Sequence, residues 1–163
     1  MSAAHRTAET ASAGGALTFE DLSVGQTFSS SAYEMRLDEI RDFAGAYDPQ
    51  AFHTDPEAAR YSFFGTLVAS GWHTAAVTMR LFVETMPIEG GLIGAGVGEI
   101  AWQRPVLPGD VLTVTATVEE LLASRSRPDR GKVVLRVETF NQDGALVQRM
   151  RPTLLVPRAG EAA

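Results

Sequence analysis

Asp48 and His53 stand five residues apart in the segment Tyr47-Asp48-Pro49-Gln50-Ala51-Phe52-His53, and Gly71 follows eighteen residues later. A carboxylate and an imidazole on one short loop can share a water molecule and move its protons. Gly71 falls near the start of a long apolar segment, where a helix leaves its amides unpaired and its dipole positive. A backbone N–H there can stabilise negative charge that such proton chemistry creates on an oxygen. Taken singly, Asp48 also suits a turn before Pro49, and His53 an ordinary loop histidine. The combination with Gly71 favours the chemical role.

These residues need elements to hold them. Gly25-Gln26-Thr27-Phe28 reads as a turn entering a strand that runs to about Arg36. Asp38 is placed to cap a short helix, Glu39 to Ala46, by accepting from its first free amides. Pro49 ends that helix, because the residue before a proline is pushed out of the helical region. Asp55-Pro56 predicts a second short helix through Tyr61, with proline at its first position and Asp55 as N-cap. Leu67 to Met86 predicts the one long helix. Its bulky residues (Val68, Trp72, Val77, Met79, Leu81, Phe82 and Val83) appear on nearly every side, the pattern of a helix enclosed by its own protein. Arg80 and Glu84, four apart, mark its single wet face.

Strand patterns follow. Leu92 to Gln103 is glycine-rich and leads to a turn at Arg104–Asp110. Val111 to Val118 alternates with period two. After a polar loop, Ser124 to Gly131, the stretches Lys132–Asn141 and Ala145–Val156 form a hairpin about Gln142-Asp143-Gly144. The order of elements predicts an α+β fold in which an antiparallel sheet curls around a long helix.

Composition narrows the function classes. The chain has 163 residues, is 45% hydrophobic and 21% charged, and contains no cysteine. One domain of this size buries a core without staples, and disulfide, thiolate and cysteine-zinc chemistry are excluded. A net charge of −6 argues against general affinity for nucleic acid or anionic membranes. His73, Arg80 and Glu84 interrupt the longest apolar stretch, so it reads as a core helix rather than a membrane span. Residues 1–16 and 158–163 read as disordered tails around a single domain, 17–157. A cytosolic location is expected.

Several other features have ordinary readings. His53-x-Asp55 lacks a third metal ligand, so no metal and no cofactor is expected. His73 reads as a satisfied core histidine. Gly94-x-Gly96-x-Gly98 lacks the spacing of a nucleotide loop and reads as glycines that ease close packing in a strand. Ser70 lies outside any Gly-x-Ser-x-Gly elbow. The arginines between Ser124 and Arg130 read as a solvated loop.

The run Phe43-Ala44, Asp48-x-x-x-x-His53-x-Asp55-Pro56, Phe64-Gly65, Val68-Ala69-Ser70-Gly71 resembles the MaoC-like dehydratases, also called (R)-specific enoyl-CoA hydratases. Arg104-Pro105-Val106-x-Pro108-Gly109-Asp110 resembles that family's turn into a following strand. The likeness covers about Leu17 to Val156. The family signature reads Asp-x-Asn-Pro-x-His; this chain has Gln50 and Ala51 at the Asn and Pro positions. The resemblance implies a hotdog fold, with the Asp/His segment overhanging a central helix, and a homodimer with active sites near the subunit interface. It also implies reversible syn hydration of trans-2-enoyl thioesters, carried on CoA or on an acyl-carrier protein, to (R)-3-hydroxyacyl thioesters.

For that chemistry, Asp48 and His53 hold one water that serves both carbons on one face, which explains a syn outcome. The sequence does not divide base and acid between them. The Gly71 N–H receives the charge developing on the thioester oxygen, and glycine admits the substrate where a Cβ would collide. Helical spacing places Ala75, Met79 and Phe82 below Gly71 as candidates for the acyl pocket, with plain core packing equally open for each. A hotdog thioesterase is a competing reading, although such enzymes usually carry an acidic residue early in the central helix and this chain has none before Glu84. A non-catalytic hotdog subunit that only binds acyl chains is a third.

Overall fold

A computed structural model describes residues 15–160. After a single 3₁₀ turn, Phe19–Asp21, come β1 (Thr27–Ser29), β2 (Tyr33–Glu34), α1 (Leu37–Tyr47), α2 (Ala51–Thr54) and α3 (Pro56–Ala59). The chain continues through α4 (Gly71–Thr85), β3 (Ile93–Trp102), β4 (Val111–Ala123), β5 (Arg130–Phe140) and β6 (Leu146–Pro157). The strands form one antiparallel sheet in the order β1-β4-β5-β6-β3, with β2 also on β4. Alternation along β4 turns Leu112, Val114, Ala116 and Val118 inward, where they meet Val77, Leu81 and Phe82 of α4 in one buried cluster. Burying a side chain the size of Phe82 contributes roughly 1.5–3 kcal/mol. The sheet around a central helix is the expected hotdog fold. Among the described residues no helix is long and apolar enough to cross a membrane.

The local differences from expectation have identifiable causes. The first strand is broken into β1 and β2, because Ser30 turns its side chain into the ladder: its Oγ accepts from the Val114 N–H at 2.8 Å. Asp38 does not cap α1. It lies inside the first turn and pairs with Arg36 at 2.7 Å, and Arg36 is the N-cap residue, without a side-chain cap bond. Asp55 does cap α3, accepting from the N–H groups of Glu57 and Ala58.

α4 begins at Gly71, four residues later than its apolar run suggests. Leu67–Ser70 is extended, because its backbone is claimed by neighbours: Val68 N–H donates to Phe52 O, and Ala69 N–H to Val106 O. A continuous buried run has no period that separates helix from extended chain. Nor is α4 enclosed on every side. Trp72 is 58% exposed, Met79 40% and Val83 48%, so the outer face is apolar and extends well beyond Arg80 and Glu84.

Gly94 and Gly96 of β3 do not serve close packing among the described residues, whereas a Cβ at Gly98 would touch the Arg151 carbonyl oxygen at 3.7 Å. A Cβ at Gly94 or Gly96 would meet nothing within 4 Å. They sit instead at a register shift on an exposed edge strand, a setting that favours glycine. The expected tails lie largely outside the described residues; where they overlap, Arg158 pairs with Glu20 at 2.6 Å and Ala159 N–H donates to the same carboxylate.

Candidate active site

The five-residue spacing of Asp48 and His53 spans three pieces of local structure. Asp48 ends α1, its N–H still bonded to Ala44 O. Pro49 and Gln50 then turn the chain, and α2 starts at Ala51, a short helix absent from the sequence reading. One turn carries His53 inward, where its side chain is 7% exposed and that of Asp48 19%. His53 Nε2 lies 3.3 Å from Asp48 Oδ2.

The other ring nitrogen settles the tautomer. His53 Nδ1 is 2.7 Å from the carbonyl oxygen of Val68, which can only accept, so Nδ1 carries the hydrogen. In the neutral imidazole Nε2 therefore holds a lone pair, aimed toward a carboxylate. Two acceptors at this distance suit a shared donor such as water, which can approach both at about 2.8 Å. Phe52 packs edge-on against the imidazole, 4.4 Å between ring centres, and helps fix its plane.

Asp48 is held from both oxygens. Gln50 Nε2 donates to Oδ1 at 2.7 Å, and Ser70 Oγ donates to Oδ2 at 2.7 Å. Burial pushes this carboxyl upward, but the bonds from Ser70 and Gln50 and the charge of His53 outweigh burial and hold it below its ordinary 3.8. It is a carboxylate at neutral pH. Gln50, which replaces the family asparagine, thus makes a direct bond to the carboxylate.

Ser70 also caps α4, accepting from Trp72 N–H at 3.2 Å. It links the helix start to Asp48, a role that a helix beginning at Leu67 conceals. A serine directly before Gly71 is the signal that locates both cap and helix start. Gly71 is then the first helical residue, and no protein acceptor takes its N–H among the described residues.

His53 and Gly71 both line a cavity of about 330 Å³, together with Phe52, Thr74, Trp102 and Arg104. Asp48 is not among its walls and reaches it through His53. Ala75, Met79 and Phe82 do not line it either. Ala75 is half-buried, Met79 lies on the outer face, and Phe82 is sealed in the core. The cavity opens beside the first turn of α4, which only Gly71 and Thr74 reach. Space above Gly71 is also filled differently from expectation: a Cβ there would stand 2.6 Å from Cε2 of the Trp102 indole. Its neighbour there is this protein's own side chain.

His73 is buried but not satisfied. Its ring stacks on Phe43, centres 4.7 Å apart, and Nδ1 has no partner among the described residues. Burial pushes its pKa below the ordinary 6.5, with Glu39 pulling the other way. The unfolded chain then takes up the proton first as pH falls. Stability is fully present above 6.5 and is lost as pH drops toward the folded-state value. Thermal melting of His73→Leu therefore falls less than that of the wild type between about pH 7 and about pH 5.

A family model described as the MaoC like domain matches residues 20–141. The chain is similar in structure to the MaoC-like dehydratase from Rhodospirillum rubrum, with TM-score 0.85 and 49% identity, covering 89% of this chain and 99% of that one. It is similar to the (R)-hydratase from A. caviae involved in PHA biosynthesis, with TM-score 0.71 and 26% identity, over 85% of this chain and 99% of that one. In sequence it is 29% identical to YdeM of Bacillus subtilis over 143 residues, 87% of this chain and all of the relative. With the sheet, the overhanging Asp/His segment and this match over most of its length, the chain belongs to the MaoC-like dehydratase family.

Proposed function

We propose that this protein catalyses the reversible syn hydration of trans-2-enoyl thioesters, on CoA or an acyl-carrier protein, to (R)-3-hydroxyacyl thioesters. The observation that carries this reading is the convergence of His53 Nε2 and Asp48 Oδ2, 3.3 Å apart, beside a cavity also lined by Gly71, whose N–H has no acceptor among the described residues. A water donates to the Nε2 lone pair and to the carboxylate. As its oxygen attacks the β-carbon, its proton passes to Nε2, and the thioester oxygen gains negative charge opposite the Gly71 N–H. The imidazolium, stabilised by Asp48, returns that proton to the α-carbon on the same face. One water is added and His53 is regenerated. Metal and cofactor play no part in these steps.

The reading includes a homodimer. Among the described residues β3 pairs only with β6, leaving an open edge that carries Ile93 and Val97, and the outer face of α4 carries Trp72, Met79 and Val83. An open strand edge beside an apolar helix face is a surface that natural proteins cover.

The test is a hydration assay on crotonyl-CoA and on longer and branched enoyl-CoAs, followed by loss of enoyl absorbance, with chiral analysis of the product. Formation of the (R)-alcohol is expected. Release of free CoA would point to a thioesterase, and binding without turnover to a non-catalytic subunit.

A further inference from the structure

Gln148 is an amide buried completely in β6, and such a group is retained only where it is bonded. Its partners form a row set by strand register. Trp102 on β3 lies directly opposite Gln148, and Gln148 opposite Thr139 on β5. Trp102 Nε1–H donates to Gln148 Oε1 at 2.8 Å, and Gln148 Nε2 donates to Thr78 Oγ1 at 3.1 Å. Thr78 and Thr139 share a hydroxyl bond of 2.7 Å. The same indole N–H also donates to Gly71 O at 2.9 Å, and the ring fills the place a Gly71 Cβ would take. Trp72 abuts it edge-on at 5.3 Å.

We infer that Trp102 and Gln148 are positioning residues for Gly71, a partly exposed indole held by a buried amide that together fix the residue whose N–H receives charge from a thioester carbonyl. A glycine at a helix start is the least constrained residue in its helix. Charge stabilisation requires a donor fixed before the reaction begins. The indole supplies that constraint in two ways: packing where a Cβ would stand and a hydrogen bond to the carbonyl of the same residue. Gln148 holds the indole, and the threonines hold Gln148. The inference rests on the proposed role of Gly71 in thioester chemistry.

Two measurements separate the brace from that role. Infrared difference spectra of bound butyryl-CoA read the donor directly, because a well-aligned N–H lowers the thioester carbonyl stretch and this ligand cannot be hydrated. Wild-type protein is expected to show the lowered stretch. Trp102→Phe keeps a ring over Gly71 without the N–H, and Gln148→Met keeps the volume without the acceptor. Both are expected to bind butyryl-CoA with the stretch moved back toward its value in water. With crotonyl-CoA, kcat falls by about ten- to a hundredfold while KM stays within about twofold, since the lost contact matters mainly in the transition state. A merely structural role would lower melting temperature without moving the stretch. An unshifted stretch in the wild type, or an unchanged one in both folded variants, overturns the inference. A wild type that lowers the stretch but hydrates nothing leaves the brace standing and removes the hydratase reading.

Discussion

His53→Gln and Asp48→Asn each lower crotonyl-CoA hydration by about 10²–10⁴, the range typical of a lost proton-transfer group. Glutamine keeps a polar amide near the position of Nε2, but it cannot accept and return a proton. Asparagine preserves the shape of Asp48 and still accepts from Ser70. It removes the charge that stabilises an imidazolium at Nε2 and turns an amide toward the donor of Gln50. Because Ser70 and Gln50 hold the Asp48 carboxyl below its usual value, the wild-type residue is already ionised throughout the neutral range. Asparagine has no proton to lose, so raising pH cannot restore activity to Asp48→Asn. Circular dichroism should show both variants folded, and loss of enoyl absorbance reads their rates. Full activity in Asp48→Asn would sink the mechanism.

Gly71→Ala tests the other half of the site, and its effect on stability has a sign that distinguishes two explanations. Alanine is the better helix former by roughly 0.5–1 kcal/mol, so helix propensity alone predicts a stabilised protein. The new Cβ would stand 2.6 Å from the Trp102 ring, which must move and give up its bonds to Gly71 and Gln148. Overpacking of this kind typically costs about 1–3 kcal/mol. The melting temperature is therefore expected to fall. Hydration falls with it by about 10²–10³, the cost of a misplaced oxyanion donor. If glycine served only to admit substrate, activity would fall while the melting temperature held or rose.

The fold was legible because its strand and helix patterns are local. Alternation in Val111–Val118 and the Gln142-Asp143-Gly144 turn predicted β4 and the last hairpin, although β4 runs on to Ala123 past a register shift after Val118. Pro49 and Asp55-Pro56 marked the ends of short helices for reasons contained in their own backbones. The start of α4 was not legible. Leu67–Ser70 is apolar in either conformation, and what makes it extended is the set of partners on Phe52 and Val106, distant in sequence.

Residue type and spacing by themselves determined that an ionisable pair, Asp48 and His53, precedes a glycine near the head of a long apolar run, because proline and glycine act on their immediate neighbours. Only the tertiary structure decided how that site is held. Ser70 and Gln50 were free to bond elsewhere until folding brought them onto Asp48. The tautomer of His53 depends on a carbonyl fifteen residues away, and the indole over Gly71 arrives from the edge strand β3. Ala75, Met79 and Phe82 share a helical stripe in sequence, yet the packing of α4 against the sheet sends one to the core and another to the surface. Local preferences select elements; the positions of side chains around a site follow from contacts between elements, which no short stretch of sequence contains.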